Sequence, residues 1–114
     1  MSLEPSTRRV NQRHDVDIPG TVQTKSAVRE VRIQNISVGG LYIKDDFEYE
    51  NKQIITVTFS IPHLDKDITV DSIVRWIERG NDSIEGIGVQ FVGLKAKEVW
   101  ALTRYLSSIQ SMDV

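Results

Sequence analysis

Cysteine is absent from the chain. That one gap removes disulfides, thiolate metal sites and cysteine nucleophiles together, and it fits a reducing compartment. Histidine is scarce, with only His14 and His63. His14 stands beside Arg13, Asp15 and Asp17, but alternation along a strand turns immediate neighbours to opposite sides, so no convergent metal site is expected there. His63 lies in a turn. With no histidine placed against Ser37 or another hydroxyl, no nucleophile and base pair is visible, and no enzyme activity is expected. Long apolar runs are also missing. None approaches the ~20 residues of a membrane-spanning helix, and the opening "MSLEPSTRR" lacks the apolar segment of a secretory signal. A cytoplasmic address without membrane insertion is therefore expected. Aromatic residues make up 7% and the net charge is −2. Both argue against a general DNA- or RNA-binding face, which is normally basic.

What is present suits one ordinary domain. The 114 residues, 39% hydrophobic, are enough for a core that needs no staple. Residues 1–13 are polar and aperiodic and predict a flexible arm. From His14 on, strand signals recur. "HDVDIPGTVQ" alternates at Val16 and Ile18, and Pro19-Gly20 predicts a kink or bulge. "VREVRIQNIS" puts Val31 and Ile33 on one face, and "LYIK" resumes with Leu41 and Ile43 after a break at 38–40. "DDFEYENK" reads as a polar loop. "QIITVTFSIP" is the cleanest strand, with Ile55, Val57, Phe59 and Ile61 inward. "ITVDSIVRWIE" puts Ile68, Val70, Ser72, Val74 and Trp76 on one face, and "IEGIGVQFV" groups Ile87, Val89 and Phe91. From Leu94 to Ile109 the period changes. Val99, Leu102, Leu106 and Ile109 then follow helical spacing. Six short strands and a final helix predict a closed or nearly closed six-stranded antiparallel β-barrel, with the C-terminal α-helix across it or its open end.

Two constellations stand out. Arg9 and Arg13 are four apart, with Arg8 beside them. A guanidinium is a rigid fork of donors that matches phosphate oxygens and the O6 and N7 edge of guanine. The plainer reading is a solvated basic tail. In "NISVGG", Asn35 and Ser37 carry short hydrogen-bonding groups two positions apart. Gly39 and Gly40 permit positive φ and close approach of a ligand to the backbone, or simply make a glycine hairpin turn. Three further features are weaker. Trp76 either continues the inward row or stacks a planar group at the barrel rim. Gly86 and Gly88 lack the third glycine and the helix of a dinucleotide fingerprint, so a strand bulge explains them. Trp100 and Tyr105 lie off the central helix stripe, where they either widen the core or form an exposed patch.

The spacing of the two constellations carries a resemblance. Arg9-x-x-x-Arg13 followed by Asn35-x-Ser37-x-x-Gly40 is similar to the RxxxR and D/N-x-S-x-x-G signatures of the PilZ family, and "IVRWIE" with "GIGVQFVGL" looks like that family's last two strands. The likeness runs over roughly residues 8–110. It implies a PilZ barrel with a C-terminal helix over 14–114 and a bacterial receptor for cyclic di-GMP, with no other cofactor. Arg9 and Arg13 would clamp a guanine edge and phosphates, Asn35 and Ser37 would bond the other guanine and nearby backbone, and Gly40 would keep the turn open. Arg8, in the place that accompanies an intercalated ligand pair, implies two ligands per chain. The arm would order on binding and signal to a protein partner in motility, pilus or exopolysaccharide control. The alternative is a PilZ-like adaptor that binds protein but not nucleotide.

Overall fold

A computed structural model of the chain describes residues 13–62 and 64–112. The strands are β1 (His14–Gln23), β2 (Val28–Ile36), β3 (Gly40–Lys44), β4 (Ile54–Phe59), β5 (Ile68–Arg79) and β6 (Ile84–Val92), followed by helix α1 (Ala96–Met112). They close into an antiparallel barrel in the order β1-β2-β3-β6-β5-β4. Closure comes from a short pairing of β1 with β4, from Gly20 opposite Phe59 to Gln23 opposite Thr56. The inward rows are β-branched and aromatic side chains that fit a pleated, buried surface. Val31, Ile33, Ile43, Ile55, Val57, Ile68, Val70, Val74 and Ile87 form one continuous core with Ala101, Leu102 and Leu106 of α1.

Two bulges set which residues face out. In β2, Ile33 pairs with Ile43 but Asn35 pairs with Tyr42, which leaves Gln34 as an extra residue. In β5, Val74 pairs with Val89 but Trp76 pairs with Gly88, which leaves Arg75 as an extra residue. An extra residue moves everything beyond it to the other face. Trp76 therefore does not continue the inward row of Ile68, Val70, Ser72 and Val74. It lies on the outer face, 40% exposed, while Ile77 packs against the core. The expected irregularity at Pro19-Gly20 also falls elsewhere. Pro19 and Gly20 keep regular register with Arg32 and Val31, and the shift lies between Asp15 and Ile18. Proline is tolerated here because β1 meets β4 only from Gly20 onward, so no second neighbour asks for the missing N–H.

The segment between β3 and β4 is not simply polar. Tyr49 is 1% exposed and belongs to the core, with Phe47 packed against it. On α1, Val99 is 38% exposed despite its place in the stripe. Residues 96–100 are largely exposed, and burial begins at Ala101 and continues through Leu102, Tyr105, Leu106 and Ile109. Tyr105 thus widens the core, and its burial raises its pKa. Trp100 stays 57% exposed with the Arg104 guanidinium 5.0 Å from its ring centroid.

Candidate functional site

Arg13 precedes β1 by one residue, and β1 and β2 run antiparallel with Asp15 opposite Asn35. This register brings the arginine of one signature to the asparagine of the other. Arg13 Nη1 donates to Asn35 Oδ1 at 3.5 Å, a long contact. The same guanidinium has its Cζ 5.9 Å from the centroid of Trp76, within cation–π reach. The β5 bulge is what turns the indole toward it.

Trp76 rests on a surface shaped for it. Gly88 is the β6 residue between Tyr42 of β3 and Trp76 of β5. A Cβ at Gly88 would lie 2.2 Å from Trp76 Cε2 and Nε1, and one at Gly86 would lie 2.1 Å from Tyr42 Oη. The two glycines leave a shallow bed in the outer face. The Trp76 and Tyr42 rings stack in it, 5.5 Å between centroids and 20° between planes. The Tyr42 hydroxyl donates to the Glu78 carboxylate. Burial and this carboxylate push the Tyr42 pKa up to about 12. Gly86 and Gly88 thus both flank bulges, as expected: the extra Arg75 adjoins the Trp76–Gly88 pair, and the extra Glu85 lies between Gly86 and Ile84. Arg75 is solvent-facing, and its Nε donates to Gln90 Oε1 at 2.7 Å, on the pair row that contains Gly40.

Ser37, Gly39 and Gly40 form the turn after β2. Ser37 is buried, and its Oγ accepts from the N–H groups of Gly39 and Gly40 at 3.0 and 3.1 Å. Both acceptor sites of the hydroxyl are used inside the turn. Ser37→Ala is accordingly expected to lower stability by ~1 kcal/mol, the usual scale of a lost hydrogen-bonded partner, read as a lower urea midpoint. A purely ligand-facing serine would leave that midpoint unchanged. The glycine pair does not use positive φ, which among the described glycines is found only at Gly93. Gly40 is instead a close approach, because a Cβ there would sit 2.0 Å from the Val89 carbonyl oxygen. The Gly39 carbonyl accepts from Phe91 N–H at 2.9 Å, which fastens the turn to β6.

The structure therefore gathers Arg13, Asn35 and Trp76 on one outer face, with Ser37, Gly39 and Gly40 building the adjoining turn. Arg8 and Arg9 lie outside the described residues. Sequence reasoning missed Tyr42, Glu78 and Gln90. The signal available was the pair of glycines on β6, which empties an exposed face that large neighbours must then cover. Among the described residues no group of acidic and histidine side chains has the arrangement of a metal site, and no helix is long and apolar enough to cross a membrane.

The PilZ domain family model matches residues 7–108. The chain belongs to the PilZ family. Curated proteins give no sequence match. Among solved structures, the inhibitor of motility MotI/DgrA of Bacillus subtilis superposes with a TM-score of 0.80 at 19% identity, over 94% of this chain and 53% of that one. The PilZ domain of YcgR from Escherichia coli, with c-di-GMP, gives 0.73 at 11% identity over 93% and 94%. The MrkH–c-di-GMP complex of K. pneumonia gives 0.73 at 16% identity over 93% and 54%. At such identities the likeness is one of fold, and this chain spans about half the length of MotI/DgrA and MrkH.

Proposed function

We propose that this PilZ chain is a receptor for cyclic di-GMP that passes the signal to a protein partner. The observation that carries the reading is the meeting of Arg13 with Asn35 and Trp76. The Arg13–Asn35 hydrogen bond joins the two signature motifs, and the cation–π contact adds Trp76 of β5 to them. The YcgR domain and MrkH, both described with c-di-GMP, support it as relatives in fold.

The cluster offers each part of a guanine nucleotide something to bind. The outward indole is a stacking face for a base. Arg13 has a planar fork for the guanine edge or a phosphate, and the Asn35 amide carries both donors and an acceptor. Stacked bases lie about 3.4 Å apart, so a base held between Arg13 and Trp76 needs about 6.8 Å. The gap is 5.9 Å. Binding therefore requires Arg13 to lift or to swing to the base edge, and that displacement next to β1 is the local change a partner would read. By the signature, Arg9 would share the clamp and Arg8 would favour two ligands per chain. Ser37 and Gly40 serve by fixing the turn from which Asn35 projects.

Calorimetry of cyclic di-GMP into the chain tests the proposal. Micromolar or tighter binding is expected. Arg13→Ala should weaken it by ~1–3 kcal/mol, the value of a bidentate arginine–guanine contact, or roughly five- to 150-fold. Arg8→Ala should halve the stoichiometry if a ligand pair binds. An absence of heat, together with an unchanged melting temperature at high ligand, would reject the receptor and favour a nucleotide-independent adaptor.

A further inference from the structure

We propose that Tyr42 and Glu78 are positioning residues that hold the Trp76 indole flat and facing outward as a stacking platform, and thereby set the affinity for a purine nucleotide. The affinity part rests on the receptor reading above. The positioning part stands on geometry alone. Three strands contribute to it. The Tyr42, Gly88 and Trp76 backbones are direct neighbours across β3, β6 and β5. Glycine at 88 lets the indole lie against the sheet instead of standing off it, and glycine at 86 lets the phenol reach Glu78. Glu78 and Gly86 are themselves paired, so the carboxylate stands where the phenol ends.

The arrangement has a physical consequence. An exposed indole on a strand is free to sample rotamers, and ordering it on binding costs free energy. Stacking against Tyr42 restricts it beforehand. Tyr42 is restrained in turn at its far end by Glu78, on the strand that carries Trp76. The chain of contacts thus returns to β5. Arg13 then meets an indole face of defined orientation. A site held by supporting contacts in this way keeps its geometry before ligand arrives.

The test uses the full chain in a Trp100→Phe background. Trp100 is one of only two tryptophans and is exposed, with Arg104 beside its ring, so its replacement leaves Trp76 as the sole tryptophan, read by excitation at the red edge where tyrosine does not absorb. Acrylamide quenching without ligand reads the platform directly. Tyr42→Phe keeps the ring but cuts the tether to Glu78, and it should raise the quenching constant. Glu78→Ala should do the same. Glu78→Gln retains an acceptor oxygen for the phenol and should restore the Trp100→Phe value. Cyclic di-GMP affinity supplies the second reading. Tyr42→Ala should weaken binding roughly tenfold, within the range of a base–aromatic stack. It should cause no further loss in a Trp76→Ala chain, because residues acting through one another are not additive. Quenching unchanged by Tyr42→Phe and Glu78→Ala would overturn the positioning role. So would a Tyr42→Ala loss that adds fully to that of Trp76→Ala. Should the Trp100→Phe chain take up no cyclic di-GMP at all, the receptor reading falls, and quenching alone decides the positioning claim.

Discussion

Gly40→Ala is expected to destabilise the barrel by at least ~3 kcal/mol, the upper end of overpacking costs. The added Cβ would fall 2.0 Å from the Val89 carbonyl oxygen and 3.1 Å from its carbon. Those are backbone atoms of β6, which is paired on both sides and cannot rotate away as a side chain would. Relief requires the β3–β6 seam to open, at the point where Gly40 pairs with Gln90 and the Gly39 carbonyl holds Phe91 N–H. That seam is one of six that close the barrel. A domain stability of 5–15 kcal/mol leaves little margin for such a loss. At about 4–8 °C per kcal/mol for a domain near this size, the melting temperature should fall by more than ~12 °C. The measurement also separates two roles for this glycine. A residue needed only to let ligand approach would melt at the wild-type temperature and lose affinity alone.

That glycine shows where the sequence was informative and where it was not. The second signature motif led to Asn35, Ser37 and Gly40, but steric logic for Gly40 needs β6 beside β3, and no local pattern reveals a non-sequential neighbour. The barrel itself was legible because Ile55, Val57 and Phe59 alternate cleanly, and because α1 changes the period. Trp76 was misplaced for a definite reason. Period-2 reasoning assumes an unbroken strand, and the single extra residue Arg75 reverses the face beyond it. Tyr42 and Glu78 were invisible because their meeting depends on β3 and β5 flanking the same two glycines of β6. Tyr49 was hidden in a segment rich in acids, where its neighbours argue for solvent. Val99 fits the helical stripe but precedes the part of α1 that reaches the core. In each case the missing information was a tertiary partner.

The acids around Tyr49 carry the second large effect. Asp45→Ala is expected to cost about 3 kcal/mol, the low end for removing one partner of a buried ion pair, because Arg29 retains some exposure. Arg29 grips Asp45 with both Nε and Nη2 at 2.8 Å, and the Tyr49 hydroxyl donates to the same carboxylate at 2.7 Å. The Asp45 side chain is only 6% exposed, so its loss strands the Tyr49 hydroxyl in the core and releases the segment that carries Phe47, whose ring lies 4.6 Å below the Arg29 guanidinium. The pH dependence has two limbs. Burial alone would raise the Asp45 carboxyl, but the hydrogen bonds from Arg29 and Tyr49 outweigh it and hold the pKa below the usual carboxylate range. The unfolded chain, with a value near about 3.9, then binds the proton more readily. Stability from Asp45 is therefore fully present above that value and lost as pH falls through the lower folded one. Burial and the Asp45 carboxylate push the Tyr49 phenol up. Its contribution holds below the ordinary tyrosine value of about 10 and fades only as pH rises through the folded one. Urea unfolding from pH 7 down to about pH 3 should show a steep acid loss in the wild type. Asp45→Asn, which cannot titrate, should start lower at pH 7 and lose less on acidification. An acid limb of wild-type slope in Asp45→Asn would mean that other carboxylates govern the transition and that the Arg29–Asp45–Tyr49 contacts do not.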